Sequence, residues 1–274
     1  MVTRTDYSRE LVRAARSVLV ELVHLFGEYW EHIVLVGGWV PDLLLGSRES
    51  PHVGSVDVDL ALNHLKLKDE GYKSLQDLLL GRGYVQGNQP FIFKRVVMLG
   101  GADIIVQLDL LCGEYAGTGK GHRHQKVQQG FARKTRGCDL VFDNPVVVTI
   151  EGELPGGAKD KVKVRVADLV PFLVMKGMAL DERLKEKDAW DIYYCLQHCP
   201  DGLDQLIEKF RPLLGNRLVR EGLQKIGKHF VSEKHTGPRF VADFEEITDA
   251  EERAIRERDA YERVNYLLRK LRVL

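Results

Sequence analysis

Residues 33–62 constrain the fold of this chain more than any other stretch. An apolar run at 33–36, IVLV, ends at the pair Gly37-Gly38, and a short apolar stretch over 40–45 follows. Beyond a polar loop, a second alternating segment contains DVDL at 57–60. The pattern predicts a strand, a glycine turn, a short helix and a second strand, in that order.

The two aspartates of the second strand are candidate ligands for a cation. Side chains on a strand alternate between its faces, so Asp57 and Asp59 share one face and the apolar residues beside them enter the core. Two adjacent carboxylates repel each other unless a cation lies between them, and oxygen ligands suit Mg²⁺ or Mn²⁺. The bare backbone N–H groups of Gly37-Gly38 can hold phosphate oxygens. The alternative is a tight turn at the glycines and a solvated aspartate pair on an edge strand.

Composition bounds the class of protein without identifying it. The 274 residues suffice for one large domain or two modest ones, and 44% hydrophobic with 29% charged residues is ordinary for a water-soluble fold. The 40 Lys plus Arg residues balance the 40 Asp plus Glu residues. Overall charge therefore gives no support for nucleic-acid binding, which would have to depend on local patches.

The cysteines and the first residues indicate the compartment. The 4 cysteines form no Cys-x-x-Cys pair, which favours reduced thiols and a cytoplasmic protein. The start of the chain is charged and no apolar run reaches membrane length. We therefore expect neither a signal peptide nor a membrane-spanning helix.

Apolar spacing and turn residues predict the other elements. Ser8 is a candidate cap for a helix over 9–26, and Gly27 is a candidate stop. Residues 231–246 are predicted to be a polar connection, and Thr248 begins a capping-box pattern. The remaining predictions are a helix at 72–80, strands at 91–98 and 103–111, a β-hairpin of 146–150 with 161–166, and helices at 167–180, 203–210, 216–230 and 248–274.

Residues 112–137 change from glycine-rich to basic, and no acidic residue follows Glu114 in this stretch. Its basic side chains are those of Lys120, His122, Arg123, His124, Lys126, Arg133, Lys134 and Arg136. A basic loop beside a phosphate-transfer site steers a polyanion, whereas the alternative is a solvated loop that leads into a helix. The two histidines lack further ligands, so we do not expect a metal site there.

A lysine interrupts the most apolar helical pattern. In residues 167–180, ADLVPFLVMKGMAL, Lys176 stands in a run that is otherwise apolar apart from one aspartate. Burying an ammonium there is costly unless it meets an anionic partner. Further on, Lys187, Asp188 and Asp191 lie close together on a predicted helix. There Lys187 and Asp191 have the spacing of an ordinary surface ion pair.

The strand, glycine pair, short helix and Asp-x-Asp strand together resemble the nucleotidyltransferase superfamily that includes DNA polymerase beta. The resemblance implies a small mixed sheet, two Mg²⁺ (or Mn²⁺) ions on three carboxylates, and a nucleoside triphosphate as donor. It implies that the third carboxylate lies on a neighbouring strand, where Asp109 is the candidate. Asp109 would bind metal and help to deprotonate the attacking hydroxyl; the alternative for it is an exposed strand-end residue.

One position departs from the superfamily pattern. Many members place Ser after the first glycine as a phosphate ligand, whereas this chain has Gly38 and then Trp39. The hydroxyl is missing, so the resemblance assigns phosphate binding to the backbone N–H groups of Gly37, Gly38 and Trp39.

The second half narrows the resemblance. Lys176, then ALDER at 179–183 and KDAWDIY at 187–193, is similar to the AbiEii-type nucleotidyltransferases, which include abortive-infection toxins and type IV toxin–antitoxin toxins. The similarity covers roughly residues 30–200. It implies that Lys176 contacts the triphosphate and that Asp191 faces the site from the helical half. Lys187 and Asp188 match the same motif, and an antitoxin partner is a further implication.

The sequence thus predicts an α+β protein, with a nucleotidyltransferase-fold mixed β-sheet domain over 1–165 and a helical C-terminal domain over 166–274. The predicted reaction is attack of an acceptor hydroxyl, on a tRNA 3′ end or a protein, on the α-phosphate of a nucleoside triphosphate. Two alternatives stay open: an enzyme that modifies a small molecule, as antibiotic-modifying relatives do, and an inactive nucleotide-binding regulator. The basic stretch favours nucleic acid over a small molecule, and the retained carboxylates with Lys176 argue against the inactive regulator.

Overall fold

The structure is a computed structural model that describes residues 1–46, 51–67, 74–115 and 123–273. Within these ranges the protein is α+β: a mixed β-sheet region with helices comes first, and an all-helical part follows. The chain forms two compact units. The sheet unit comprises Tyr7–Val40 and Gly54–Asp168, and the helical unit comprises Met1–Asp6, Pro41–Val53 and Leu169–Leu274.

The strands of the described residues form one mixed sheet. In chain order they are β1 Ile33–Val36, β2 Asp57–Leu62, β3 Val85–Gln86, β4 Ile92–Leu99, β5 Ala102–Cys112, β6 His124–Val127, β7 Gly130–Lys134, β8 Val146–Glu153 and β9 Lys159–Val166. Across the sheet the order is β3-β4-β5-β2-β1-β9-β8, and the β6–β7 hairpin joins the sheet through β7, which pairs with β5. β2 pairs antiparallel with β1 and parallel with β5, so the Asp-x-Asp strand is central and is not an edge strand.

The α-helices of the described residues are α1 Arg9–Leu25, α2 Trp39–Leu45, α3 Leu75–Gly81, α4 Leu169–Arg183, α5 Glu186–His198, α6 Leu203–Phe210, α7 Arg217–His229, α8 Thr236–Phe244 and α9 Ala250–Lys270. Of these helices, α1 precedes the first strand, α2 and α3 lie between strands, and α4 to α9 follow the last strand. Among the described residues, no helix combines the length and the apolar character that crossing a bilayer requires.

Helix α1 packs on the sheet because its sequence has one apolar stripe. The Oγ of Ser8 accepts a hydrogen bond of 3.3 Å from the N–H of Leu11, which caps the first turn as predicted. The stripe is completely buried and contacts strands β2, β4, β5, β8 and β9; it includes Ala15, Val18, Leu19 and Leu22. The helix ends at Leu25, one residue before the predicted end.

In the helical unit, α4 packs against α7, α5 against α8, and α8 against α9. Two glycines set the closeness of the first pair. A Cβ on Gly177 would collide with the carbonyl oxygen of Gly222, and a Cβ on Gly222 would lie 2.8 Å from Cγ1 of Val174. The two helices therefore touch backbone to backbone, which explains glycine at two helix-interior positions where it is otherwise unfavourable.

Most predicted elements are confirmed with shifts of a few residues, including the hairpin of β8 and β9 and the helices α4, α6, α7 and α9. The helix predicted at 72–80 is described from Leu75, after the Ser74 cap; its predicted first residue, Tyr72, lies outside the described residues. The cap of α9 is Asp249, whose carboxylate accepts from the N–H groups of Glu251 and Glu252, and is not Thr248.

Two connections were predicted wrongly. Residues 231–246 contain α8, because Pro238 falls in the first turn of that helix, where proline is tolerated, and Phe244 anchors its buried side. Residues 112–137 contain the hairpin of β6 and β7, which turns at Gln128 and Gln129. Glutamine is a poor turn signal. Gln128 adopts a φ of 53°, a backbone conformation that glutamine rarely adopts and that the sequence therefore does not predict.

Candidate functional site

Three aspartates share one face of two neighbouring central strands. In the parallel pair of β2 and β5, Asp59 is opposite Asp109 and Asp57 is opposite Gln107. Directly opposed residues in a sheet lie about 4.8 Å apart at Cα. The intervening residues Val58 and Leu108 are fully buried, whereas the aspartates are partly exposed. We call Asp57, Asp59 and Asp109 the carboxylate face; the predicted alternation of β2 is confirmed.

Short-range donors hold two members of the carboxylate face. The hydroxyl of Ser55 donates to Oδ1 of Asp57. The Nε2 amide of Gln107 donates to Oδ2 of Asp109 at 2.9 Å. Both donors are neutral, and Asp59 and Asp109 occupy directly opposed positions, where like charges are unfavourable.

The glycine turn lies directly beside this face. Val36, the last residue of β1, is opposite Asp59, and Gly37 follows with a φ of 73°. A Cβ on Gly37 would collide with Oδ2 of Asp59. The carboxylate therefore rests against bare backbone, and any larger residue at 37 would displace it and strain the turn.

Trp39 contacts the backbone of the carboxylate face at the start of β2. Its side chain is buried, and its indole Nε1 donates to the carbonyl oxygen of Asp57 at 2.8 Å. The indole thus fixes the start of β2, and contact between Trp39 and a phosphate can involve only its backbone. The prediction that Gly37, Gly38 and Trp39 bind a nucleotide stays a prediction.

The oxygen donors of the carboxylate face suit Mg²⁺ or Mn²⁺, and the register brings their backbones together. Within the described part of the chain, however, no group of three or more His, Cys, Asp or Glu side chains is placed so that it could hold a metal ion. The backbone register alone supports the predicted ion site, since the side chains of Asp57 and Asp109 accept local hydrogen bonds.

The helical unit contains a second group of charges, on α4 and α5. The ammonium of Lys176 lies 2.8 Å from Oδ1 of Asp188 and 2.6 Å from Oδ2 of Asp191, the latter at an angle outside hydrogen-bond geometry. Lys187 contacts Oδ1 of Asp191 at 2.7 Å, and Arg183 donates twice to Asp188, at 2.7 and 2.8 Å. We call Lys176, Arg183, Lys187, Asp188, Asp191 and His52 the ionic cluster.

His52 reaches the cluster from the segment before β2. Its Nε2 lies 2.9 Å from Oδ1 of Asp191, and both side chains are inaccessible to solvent. Its ring stacks on Trp190 at 4.8 Å and meets Tyr194 edge-on at 4.8 Å. The polar and aromatic contacts together hold His52 against α5.

Burial and mutual pairing shift the acidities in opposite directions. Burial opposes ionisation of Asp191, but Lys176 and Lys187 outweigh it and hold the pKa of Asp191 well below its usual value. Burial alone would lower the pKa of Lys176, yet Asp188 and Asp191 hold it above the usual value. Burial lowers the pKa of Lys187. Burial also lowers the pKa of His52 to about 4, and the positive charge of Lys187 lowers it further toward that value.

The structure thus separates the predicted site residues into two groups. Asp57, Asp59 and Asp109 come together beside the glycine turn of the sheet unit. Lys176, Lys187, Asp188 and Asp191 come together inside the helical unit as one set of ion pairs. These contacts join residues within each group and involve no ligand. The roles of both groups toward a triphosphate therefore stay predictions.

Sequence reasoning missed three supporting residues. Gln107 is two positions before Asp109 on the same strand, and this period-2 spacing could have identified it as a partner. Ser55 precedes Asp57 by the same spacing. His52 gives no such signal, because 139 positions separate it from Asp191.

The basic residues of 123–136 differ in exposure and in pairing. Lys126 and Arg133 are exposed, whereas Arg136, beyond β7, forms an ion pair of 2.7 Å with Glu114. The ring of His124 meets Phe131 edge-on at 4.6 Å. Lys120 and His122, which were predicted to belong to the basic stretch, lie outside the described residues.

Comparisons with known proteins add no assignment. No protein-family model, no curated protein and no solved structure matches the chain. The case for a function therefore depends on the residues and geometry of this chain.

Proposed function

We propose that the chain is a metal-dependent nucleotidyltransferase with the nucleotidyltransferase fold, similar to AbiEii-type toxins. It would transfer a nucleotide from a nucleoside triphosphate to an acceptor hydroxyl on an RNA or a protein. One observation carries the proposal: the glycine turn after β1, the Asp-x-Asp of β2 and Asp109 of β5 lie side by side on three adjacent strands.

The chemistry of the carboxylate face supports this proposal. Asp57, Asp59 and Asp109 would hold Mg²⁺ or Mn²⁺, which, when bound, activates the attacking hydroxyl and neutralises the leaving pyrophosphate. Asp109 would orient the acceptor hydroxyl and help to take its proton. The bare backbone at Gly37 and Gly38 would offer N–H groups to phosphate oxygens. The opposed positions of Asp59 and Asp109 bring two like charges to one place, and a bound cation would stabilise that arrangement.

The ionic cluster enters the proposal with two functions. The resemblance assigns Lys176 to the triphosphate and Asp191 to the site, with Lys187 and Asp188 in the same motif. The pairing of Lys176 with two buried carboxylates gives these residues a structural function as well. Lys176 would thus both contact the triphosphate and pair internally, and the stability and transfer activity of Lys176→Met distinguish the two functions.

The experiment is nucleotide transfer with purified protein. Each labelled nucleoside triphosphate is incubated with Mg²⁺ or Mn²⁺ and with total RNA or total protein as acceptor. We expect metal-dependent labelling of one acceptor class and a higher thermal midpoint with metal and triphosphate together.

The double variant Asp57→Asn, Asp59→Asn should lower transfer on the order of a thousandfold or more and abolish the metal-dependent rise in midpoint. Asp103→Asn is the matched control, because Asp103 is exposed at the start of β5 on the same strand face. Transfer at the wild-type rate by the double variant would contradict the proposal.

A further inference from the structure

We infer that one face of the β6–β7 hairpin binds the single-stranded RNA that accepts the nucleotide. This inference rests on the proposed function, since it names the acceptor class of the same site. The residues concerned are His124, Lys126, Phe131 and Arg133, which we call the hairpin face.

Strand register relates the hairpin to the carboxylate face. Arg133 of β7 is directly opposite Leu111 of β5. Leu111 is two positions after Asp109 and therefore projects from the same side of the sheet. One strand across and two residues along corresponds to about 8 Å between the Cα atoms of Arg133 and Asp109.

The register of the hairpin places residues of β6 on the same side as Arg133. His124 is opposite Arg133, and Lys126 is opposite Phe131. Opposed residues project from the same side, so all four side chains share the face that carries Asp109. The hairpin thus continues the proposed catalytic surface.

Burial distinguishes the two sides of the hairpin. Gln125, Val127 and Ala132 are buried on the side away from the hairpin face. Lys126 and Arg133 are exposed, while His124 and Phe131 are partly exposed and in contact with each other. The hairpin face therefore presents two cations and two aromatic rings to solvent.

This combination is chemically complementary to single-stranded RNA. No acidic residue occurs between positions 115 and 138, so the sequence of this segment has an excess of basic residues. Cations at strand spacing neutralise phosphates, and exposed rings stack on unpaired bases. A protein acceptor is less well matched, because the described hairpin residues include no highly exposed large aliphatic side chain.

The test measures binding of a mixed-sequence single-stranded RNA, about 16 nucleotides long, as a function of salt and without triphosphate. Lys126→Ala with Arg133→Ala should weaken binding about tenfold or more and lower the salt slope by about 1.4, at about 0.7 for each phosphate contact of a single strand. The matched control is Lys159→Ala with Lys163→Ala, which removes two exposed lysines from β9. Unchanged RNA affinity in the hairpin variant, or an equal loss in the control, would overturn the inference.

Ring stacking has its own variant. Phe131→Leu keeps an apolar side chain against His124 but removes the ring, and should weaken RNA binding roughly tenfold while the thermal midpoint stays close to wild type. Wild-type RNA affinity of a folded Phe131→Leu protein would overturn the stacking part of the inference.

Two further measurements separate this inference from the proposed function. Asp57→Asn with Asp59→Asn should bind RNA as the wild type does and yet transfer no nucleotide. If wild-type protein transfers nucleotide and the hairpin variant binds RNA normally, the enzyme stands and the inference is wrong. If the wild-type label appears on protein and the hairpin variant loses that labelling, RNA is not the acceptor and the inference is also wrong.

Discussion

The carboxylate face and the ionic cluster use the same side chain, aspartate, in opposite settings. On the sheet, Asp59 and Asp109 are partly exposed and directly opposed, with like charges facing each other. Within the helical unit, Asp188 and Asp191 are buried and surrounded by ammonium and guanidinium groups. The first arrangement keeps charge accessible at the expense of stability, and the second satisfies charge internally.

This difference shows which charged side chains contribute to the stability of the fold. Removing one partner of a buried ion pair leaves an uncompensated charge, whereas removing one of two repelling carboxylates relieves strain. Substitutions in the two regions should therefore have effects of different size, and in one case of opposite sign.

The largest contrast is between Asp191→Ala and Asp109→Asn. Asp191→Ala leaves Lys176 and Lys187 without a shared carboxylate and should lower the free energy of unfolding by about 3–5 kcal/mol. Asp109→Asn should leave it unchanged or raise it by up to about 1 kcal/mol. Urea denaturation of both variants measures the difference, and equal losses would remove the distinction between the regions.

The two lysines of the ionic cluster should also differ. Lys176 contacts both carboxylates and has a raised pKa, whereas Lys187 contacts Asp191 and has a lowered pKa. Lys176→Met should therefore lower the free energy of unfolding by about 3–5 kcal/mol, and Lys187→Met by about 1 kcal/mol. Denaturant unfolding is measured beside nucleotide transfer. A Lys176→Met protein that is fully stable but inactive would show that this lysine acts on the triphosphate alone.

Protonation of His52 should produce a pH dependence. Its pKa is lowered from 6.5 to about 4, so between these values the unfolded chain binds more protons than the folded chain. The free energy of unfolding should fall by about 3 kcal/mol as the pH decreases from 6.5 to 4. His52→Gln keeps an Nε2 donor and should flatten this slope, whereas the exposed His24→Gln should not. A slope that His52→Gln leaves intact would assign the titration to other groups.

The smallest effect is expected at Ser55. Ser55→Ala removes one neutral donor from Asp57 and should lower the free energy of unfolding by about 1 kcal/mol or less. Ser8→Ala, which removes the cap of α1, serves as a control of similar size. A loss at Ser55 as large as that of Asp191→Ala would mean that the carboxylate face is also a structural network.

The sequence predicted the parts of the fold that depend on local spacing. The alternation of β2 and the apolar stripe of α1 follow from periods of 2.0 and 3.6 residues, and the Ser8 cap follows from the preference for serine at helix starts; the structure confirms all three. Asp109 was placed near Asp57 and Asp59 by resemblance, and the register puts it opposite Asp59. Such patterns act within a few residues, so reading them needs no tertiary information.

The missed features depend on contacts that are distant in sequence or on unusual backbone. Nothing near position 52 indicates that its imidazole pairs with Asp191, and the turn at Gln128 lacks the usual Gly, Asn or Asp. Lys176 was recognised as costly to bury, yet its two partners on α5 could be found only from the packing of α4 against α5. The contacts of His52 and Lys176 and the backbone of Gln128 depend on tertiary structure, and local sequence preferences do not reveal them.

The helical unit is assembled from three separated pieces of chain, and this has a consequence for its synthesis. The backbone N–H of Val2 donates to Glu186, Thr5 contacts Glu246, and His52 contacts Asp191, across 184, 241 and 139 positions. At translation rates of about 5–20 residues per second, His52 waits on the order of 10 s for its partner to be made. The sheet unit has all its described strands once residue 166 has been added, so it can fold first. Meanwhile the described residues 41–46 and 51–53 of the helical unit, which precede β2, lack their partners in the later helices, and there a ribosome-bound intermediate would first be open to chaperones or proteases.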